Sequence, residues 1–116
     1  MASRNADAIN DEAKITRGTG TVFADLGYAD ALERQTRLRL AYAINGVIAR
    51  RPLTQAAAAE KLGVNQPNVS ALASYKLKGF SVERLMSFLT ALDQDVEIVI
   101  RKRPRSRLAR ILVVAA

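Results

Sequence analysis

The chain has 116 residues, a length for one domain with a tail, and 49% of them are apolar, a globular proportion. It carries 18 basic and 11 acidic residues, a net charge of +7, and neither Cys nor His. That excludes disulfides, Cys/His zinc sites, His-ligated haem, Cys nucleophiles and His general bases.

No constellation of carboxylates or lysines takes their place, so no enzyme, catalytic residue, cofactor or metal is expected. Three Tyr and three Phe are too few for a stacking platform for single strands. The positive excess is uneven. Residues 1–29 sum to −1, residues 30–94 to +4 and residues 95–116 to +4. An excess of this kind favours polyanionic partners. No apolar run approaches the ~20 residues of a spanning helix. The N-terminus holds Asp7, Asp11 and Glu12 in place of a hydrophobic signal core. A cytoplasmic protein without a membrane partner is expected.

Residues 1–20 read as a flexible polar arm ending in Gly18-Thr19-Gly20. Thr21 to Tyr28 is more apolar and is expected to pack on the body or, alternatively, to await a partner. Asp30, with Glu33 three residues on, reads as a variant capping box. Leu40, Ala43, Ile44, Val47 and Ile48 follow at helical spacing, so the first helix is predicted over about 30–50, stopped by Pro52. Its arginines read as a solvated face, with phosphate contact as the alternative.

Thr54 is the next N-cap, and Gln55 to Leu62 a short alanine-rich helix. Gly63 suits its left-handed end. Asn65 or Gln66 then caps another short helix, with Pro67 in the first turn, ending by Tyr75. Ala59, Gly63 and Val69 carry this pair. Alanine lets the helices cross closely, glycine makes the turn, and valine anchors the second helix. This is a helix-turn-helix pattern.

Ser81 caps a fourth helix with a buried stripe of Leu85, Phe88, Leu89 and Leu92. After a turn at Asp93-Gln94-Asp95, alternation over 96–101 reads as a strand. Arg101 to Arg105 is a basic linker, and Leu108 to Val114 a second strand or short helix.

In a helix-turn-helix the front of the second helix enters the major groove. Gln and Asn offer paired donor and acceptor groups to adenine, and Ala can touch a thymine methyl. Gln66 and Asn68 are the chief candidate base readers, with Pro67 a shape element and Ser70 and Ala71 secondary. Asn68 could instead cap its own helix. Thr54, Gln55, Asn65, Ser74, Lys76 and Lys78 are candidate phosphate contacts, which position without reading sequence.

These segments resemble the Xre-like helix-turn-helix family, and "VFADLGYADA", "LTQAAAAEKLGVNQPNVSAL" and "GFSVERLMSFLTALDQDVEIVI" resemble its HigA-type antitoxin branch. The resemblance spans Thr21 to about Arg103. It implies a mainly α, lambda-repressor-like bundle with a C-terminal β-strand for dimerisation. It also implies an operator-binding repressor and a RelE/HigB-like toxin as partner. The loop "ASYKLKGF" is less arginine-rich than that branch, and the extension ending "RLARILVVAA" exceeds it.

The expected organisation is an arm at 1–20, a DNA-binding domain at 21–94 and a strand with basic extension at 95–116. A small core is marginal alone and a lone strand invites pairing. A homodimer through Val96, Ile98 and Ile100 is therefore expected, placing two reader helices ~34 Å apart on double-stranded DNA. The rival readings are a stand-alone regulator without a toxin and a non-specific architectural or RNA-binding protein.

Overall fold

The computed structural model describes residues 19–115, with side chains from Gly27 onward. The predicted arm thus lies outside the described residues except at Thr19 and Gly20, as do the side chains of Val22, Phe23 and Leu26. Among the described residues there are four helices, α1 (Thr19–Arg50), α2 (Gln55–Leu62), α3 (Gln66–Ala73) and α4 (Val82–Ala91). The chain divides into a unit ending at Arg34 and one from Gln35 onward. The second unit holds the C-terminal half of α1 and all three short helices.

The first helix does not start at Asp30 as expected; it already runs from Thr19. Ala24, Leu26 and Ala29 are good helix formers and no proline interrupts them. Asp30 is therefore inside the helix, where its carboxylate pairs with Arg34 one turn on, within the first unit. A carboxylate that would cap a helix start serves equally as an exposed i,i+4 partner, which is why the capping-box pattern misleads here. The C-terminal half of α1 behaves as its spacing predicts. Leu40, Ile44 and Val47 are buried, with Ala41 beside them, and Ala43 and Ile48 are half-buried. Leu53 N–H bonds to the Ile48 carbonyl at 3.2 Å, closing the helix past Pro52.

The shorter helices end alike. Gly63, Tyr75 and Asp93 each adopt a left-handed backbone, with φ of 71°, 61° and 64°. After each, the next N–H reaches back five residues: Val64 to Ala59 at 3.0 Å, Lys76 to Ala71 at 2.8 Å and Gln94 to Leu89 at 2.9 Å. This is the Schellman closure, which satisfies orphan carbonyls and turns the chain sharply. Only at Gly63 is the residue free of a Cβ penalty. A Cβ there would meet nothing within 4 Å. Gly63→Ala should thus lose about 1 kcal/mol, all of it conformational, read as a lower urea midpoint.

One core joins Leu40, Ile44, Leu72, Leu85, Phe88 and Leu92, sealed by Leu77 and Phe80. The predicted α4 stripe is buried throughout. Phe80 and Phe88 meet edge to face at 6.0 Å, and the Arg84 guanidinium lies 5.2 and 5.4 Å from their ring centres. Asp93 accepts a 2.7 Å bond from Arg51 and has Lys61 at 3.8 Å, so it ties the ends of α1, α2 and α4.

The Arg51 hydrogen bond, aided by the Lys61 and Arg51 charges, lowers the Asp93 pKa below its ordinary value. A depressed carboxylate stabilises the fold above its unfolded pKa, and that contribution is lost as pH falls through the folded one. Asp93→Asn keeps a residue that tolerates left-handed backbone. The variant should melt lower than the parent at neutral pH. Thermal melts should show the difference vanishing once pH is below the carboxylate range; a constant difference would assign the effect to the turn.

The strand expected over 96–101 is not formed, and Leu108 to Val114 is neither strand nor helix. A strand needs a neighbour to take its N–H and C=O groups, and no second strand is present among the described residues. Val96 is half-buried against the core, whereas Ile98 and Ile100 are 75% and 92% exposed. Among the described residues the fold is all-helical.

Candidate nucleic-acid interface

Two caps and a turn fix α3 against α2. Thr54 Oγ1 accepts the Ala57 N–H at 3.1 Å, and Asn65 Oδ1 accepts the Asn68 N–H at 3.0 Å. Thr54 is the predicted N-cap, and Asn65 is the one of the two candidates, Asn65 and Gln66, that caps α3. The Thr54 hydroxyl proton and the Asn65 amide NH2 are still donors, so capping and phosphate contact are compatible. Asn65 caps α3; Asn68 does not, and Asn68 keeps its carboxamide for other partners.

The helix crossing is built from Ala58, Ala59 and Val69, all buried, with Ile48, Leu53 and Val64 packed round them. Ala59 and Val69 are legible from the sequence. Ala58, fully buried, is not, because four consecutive alanines do not reveal which face turns inward. Val64 follows the left-handed Gly63 and covers the joint, the apolar contact that accompanies this closure.

From the other side, Asn45 of α1 donates from Nδ2 to the Leu72 carbonyl at 3.1 Å. This pins the back end of α3 to α1. Sequence reasoning misses it; its only signal is a lone polar residue between Ile44 and Val47 on a buried stripe.

With α3 held so, Gln66, Pro67 and Ser70 are exposed along its front. Asn68 is half-buried, and Ala71 is half-buried against the core. Gln55 is exposed in the first turn of α2, and Ser74 is exposed at the end of α3. Lys76 and Lys78 are exposed on either side of buried Leu77, which holds their loop down. No carboxylate occurs from Lys61 to Val82, and α3 itself has no charged residue. The surface offers neutral donors and acceptors on one helix, flanked by two lysine ammoniums. That suits hydrogen bonding to base edges beside phosphates. Among the described residues no group of acidic side chains could hold a metal, and no helix is long and apolar enough to cross a membrane.

A tight pair of short helices, the second with an open polar front, defines a helix-turn-helix module. A helix-turn-helix domain profile (HTH_37) matches residues 22–101. The chain belongs to that family, a family of binding modules and not of enzymes. A solved structure described as a "Putative XRE Family Transcriptional Regulator" is 75% identical, with a TM-score of 0.72, over 75% of this chain and 99% of that one. At that identity the XRE family is shared. No curated protein matches.

Proposed function

We propose that this chain is a DNA-binding transcriptional regulator, and specifically a sequence-specific repressor of its own promoter in the cytoplasm. Residues 21–94 form the DNA-binding domain and 95–116 the dimerising extension. The carrying observation is the exposed front of α3, where Gln66, Pro67 and Ser70 stand on a helix fixed by the Asn65 cap and the Ala58–Ala59–Val69 joint. Gln66 and Asn68 read bases, with Pro67, Ser70 and Ala71 shaping the contact. Thr54, Gln55, Asn65, Ser74, Lys76 and Lys78 take phosphates.

A homodimer through Val96, Ile98 and Ile100 brings two such helices to successive turns of the duplex. The strong exposure of Ile98 and Ile100 supports it, since apolar side chains on an extended segment gain by pairing. Bound dimers obstruct the promoter. Resemblance to HigA-type antitoxins supports a second role, neutralising a RelE/HigB-like toxin through residues 1–28. Deleting 1–28 should then weaken toxin binding and spare DNA binding; unchanged toxin affinity refutes that role and leaves a stand-alone regulator.

The deciding experiment is binding to the chain's own upstream DNA against scrambled DNA at physiological salt. Under this reading the preference is about a thousandfold or more. Equal, steeply salt-dependent binding to both would replace it with a non-specific architectural role.

A further inference from the structure

We propose that residues 101–110, within the exposed stretch 97–112, form a second DNA-contacting element, an arm whose arginine-rich turn takes backbone phosphates beyond those reached by α3. It rests on the proposed DNA-binding function. Val96 and Val113 both pack against the main core. Every residue between them is exposed. The chain therefore leaves the body at one valine and returns to it at the other. The turn is self-supported. Arg103 Nη1 donates to the Arg107 carbonyl at 2.8 Å, and Arg107 Nη1 donates to the Leu108 carbonyl at 3.1 Å. The legs from Val96 to Arg103 and from Arg107 to Val113 are of similar length. Each can reach roughly 20 Å at ~3.3 Å per residue.

The charge on this arm is one-sided. Arg101, Lys102, Arg103, Arg105, Arg107 and Arg110 face a single carboxylate, Glu97. Arg101, Lys102, Arg105 and Arg110 form no ion pair among the described residues. Among these six cations, neighbours one or two positions apart are about 3–7 Å apart along the chain at ~3.3 Å per residue, inside the ~8 Å screening length, and a polyanion relieves their repulsion. Five of the six are arginine, whose planar fork matches phosphate oxygens two at a time. The helix-turn-helix itself lacks such an anchor. Its reader helix is uncharged, and only Lys76 and Lys78 lie in the loop that follows. DNA is the polyanion these facts favour; an anionic membrane surface is the rival.

The test uses the full chain and two variants. One carries Arg101→Gln, Lys102→Gln, Arg105→Gln and Arg110→Gln, and leaves Arg103 and Arg107 to hold the turn. The other has lysine at Arg101, Arg105 and Arg110. Affinity for own upstream DNA and for scrambled duplex is measured from low to physiological salt. Each phosphate contact contributes ~0.9 to the slope of log affinity against log salt, so the glutamine variant should lose about 3–4 from the slope per protomer on both duplexes. Its affinity at physiological salt should fall at least about tenfold on both, leaving the preference between them unchanged, and the lysine variant should keep the parent slope. Sedimentation and a thermal melt establish that both variants match the parent in assembly and folding. An unchanged slope in the glutamine variant, with operator preference intact, overturns the arm and leaves the repressor reading standing. Loss of binding only to vesicles of 30% phosphatidylserine overturns it in favour of a membrane. A parent that binds both duplexes equally, with a slope that falls in the glutamine variant, supports the arm while refuting sequence-specific repression.

Discussion

Leu85→Ala is expected to cost about 2–5 kcal/mol, a larger loss than at any turn or surface position. Leu85 has no exposed surface and lies in one cluster with Leu40, Ile44, Leu72 and Phe88. Those residues come from α1, α3 and α4. Truncation removes its transfer free energy and leaves a cavity that three short, capped helices packed on α1 cannot fill by sliding. A domain of this size is stable by roughly 0.05–0.15 kcal/mol per residue, so the loss is a large share of the whole. Urea unfolding should show a much lower midpoint with an unchanged slope. Leu108→Ala, on the exposed arm, should change stability by less than about 0.5 kcal/mol. Equal effects at the two positions would contradict a core centred on Leu85.

The second large effect is on DNA. Gln66→Ala combined with Asn68→Ala should weaken binding to the operator by about 1–3 kcal/mol for each well-formed side chain–base pair. Affinity for scrambled duplex should hardly move, because the phosphate contacts are untouched. Folding should survive. Gln66 is exposed, and the bond that caps α3 uses the Asn68 backbone N–H, which alanine retains. A titration showing parallel losses on operator and scrambled DNA would assign these residues to positioning instead of reading. Unchanged affinity on both would remove them from the interface.

Much of this site is legible in the sequence. The Thr54, Asn65 and Ser81 caps, the Gly63 turn and the Leu85–Leu92 stripe are local. Each depends on residues within a turn or two, where side-chain oxygens, missing Cβ atoms and helical period act directly. Tyr75 and Asp93 are less visible. The sequence places a helix end by Tyr75 and a turn at Asp93, but neither residue is glycine, so the left-handed backbone itself is not announced, least of all at Tyr75.

Burial and pairing across long stretches of chain are not legible. Asn45 meets the Leu72 carbonyl from another helix, and Asp93 meets Arg51 across 42 residues of sequence. Ala58 looks like Ala56 and Ala57 in a run of four until Val69 and Ile48 close on its side of the helix. The alternation over 96–101 reads as a strand from the residues alone, yet a strand is a relation between two segments. Among the described residues that second segment is missing, so residues 97–101 stay open to solvent. Local chemistry set the helices, their caps and the polar face of α3. Which side of each helix is buried, what pins the reader helix, and that residues 97–112 stand away from the core were decided by packing between elements remote in sequence, whose energies no local pattern encodes.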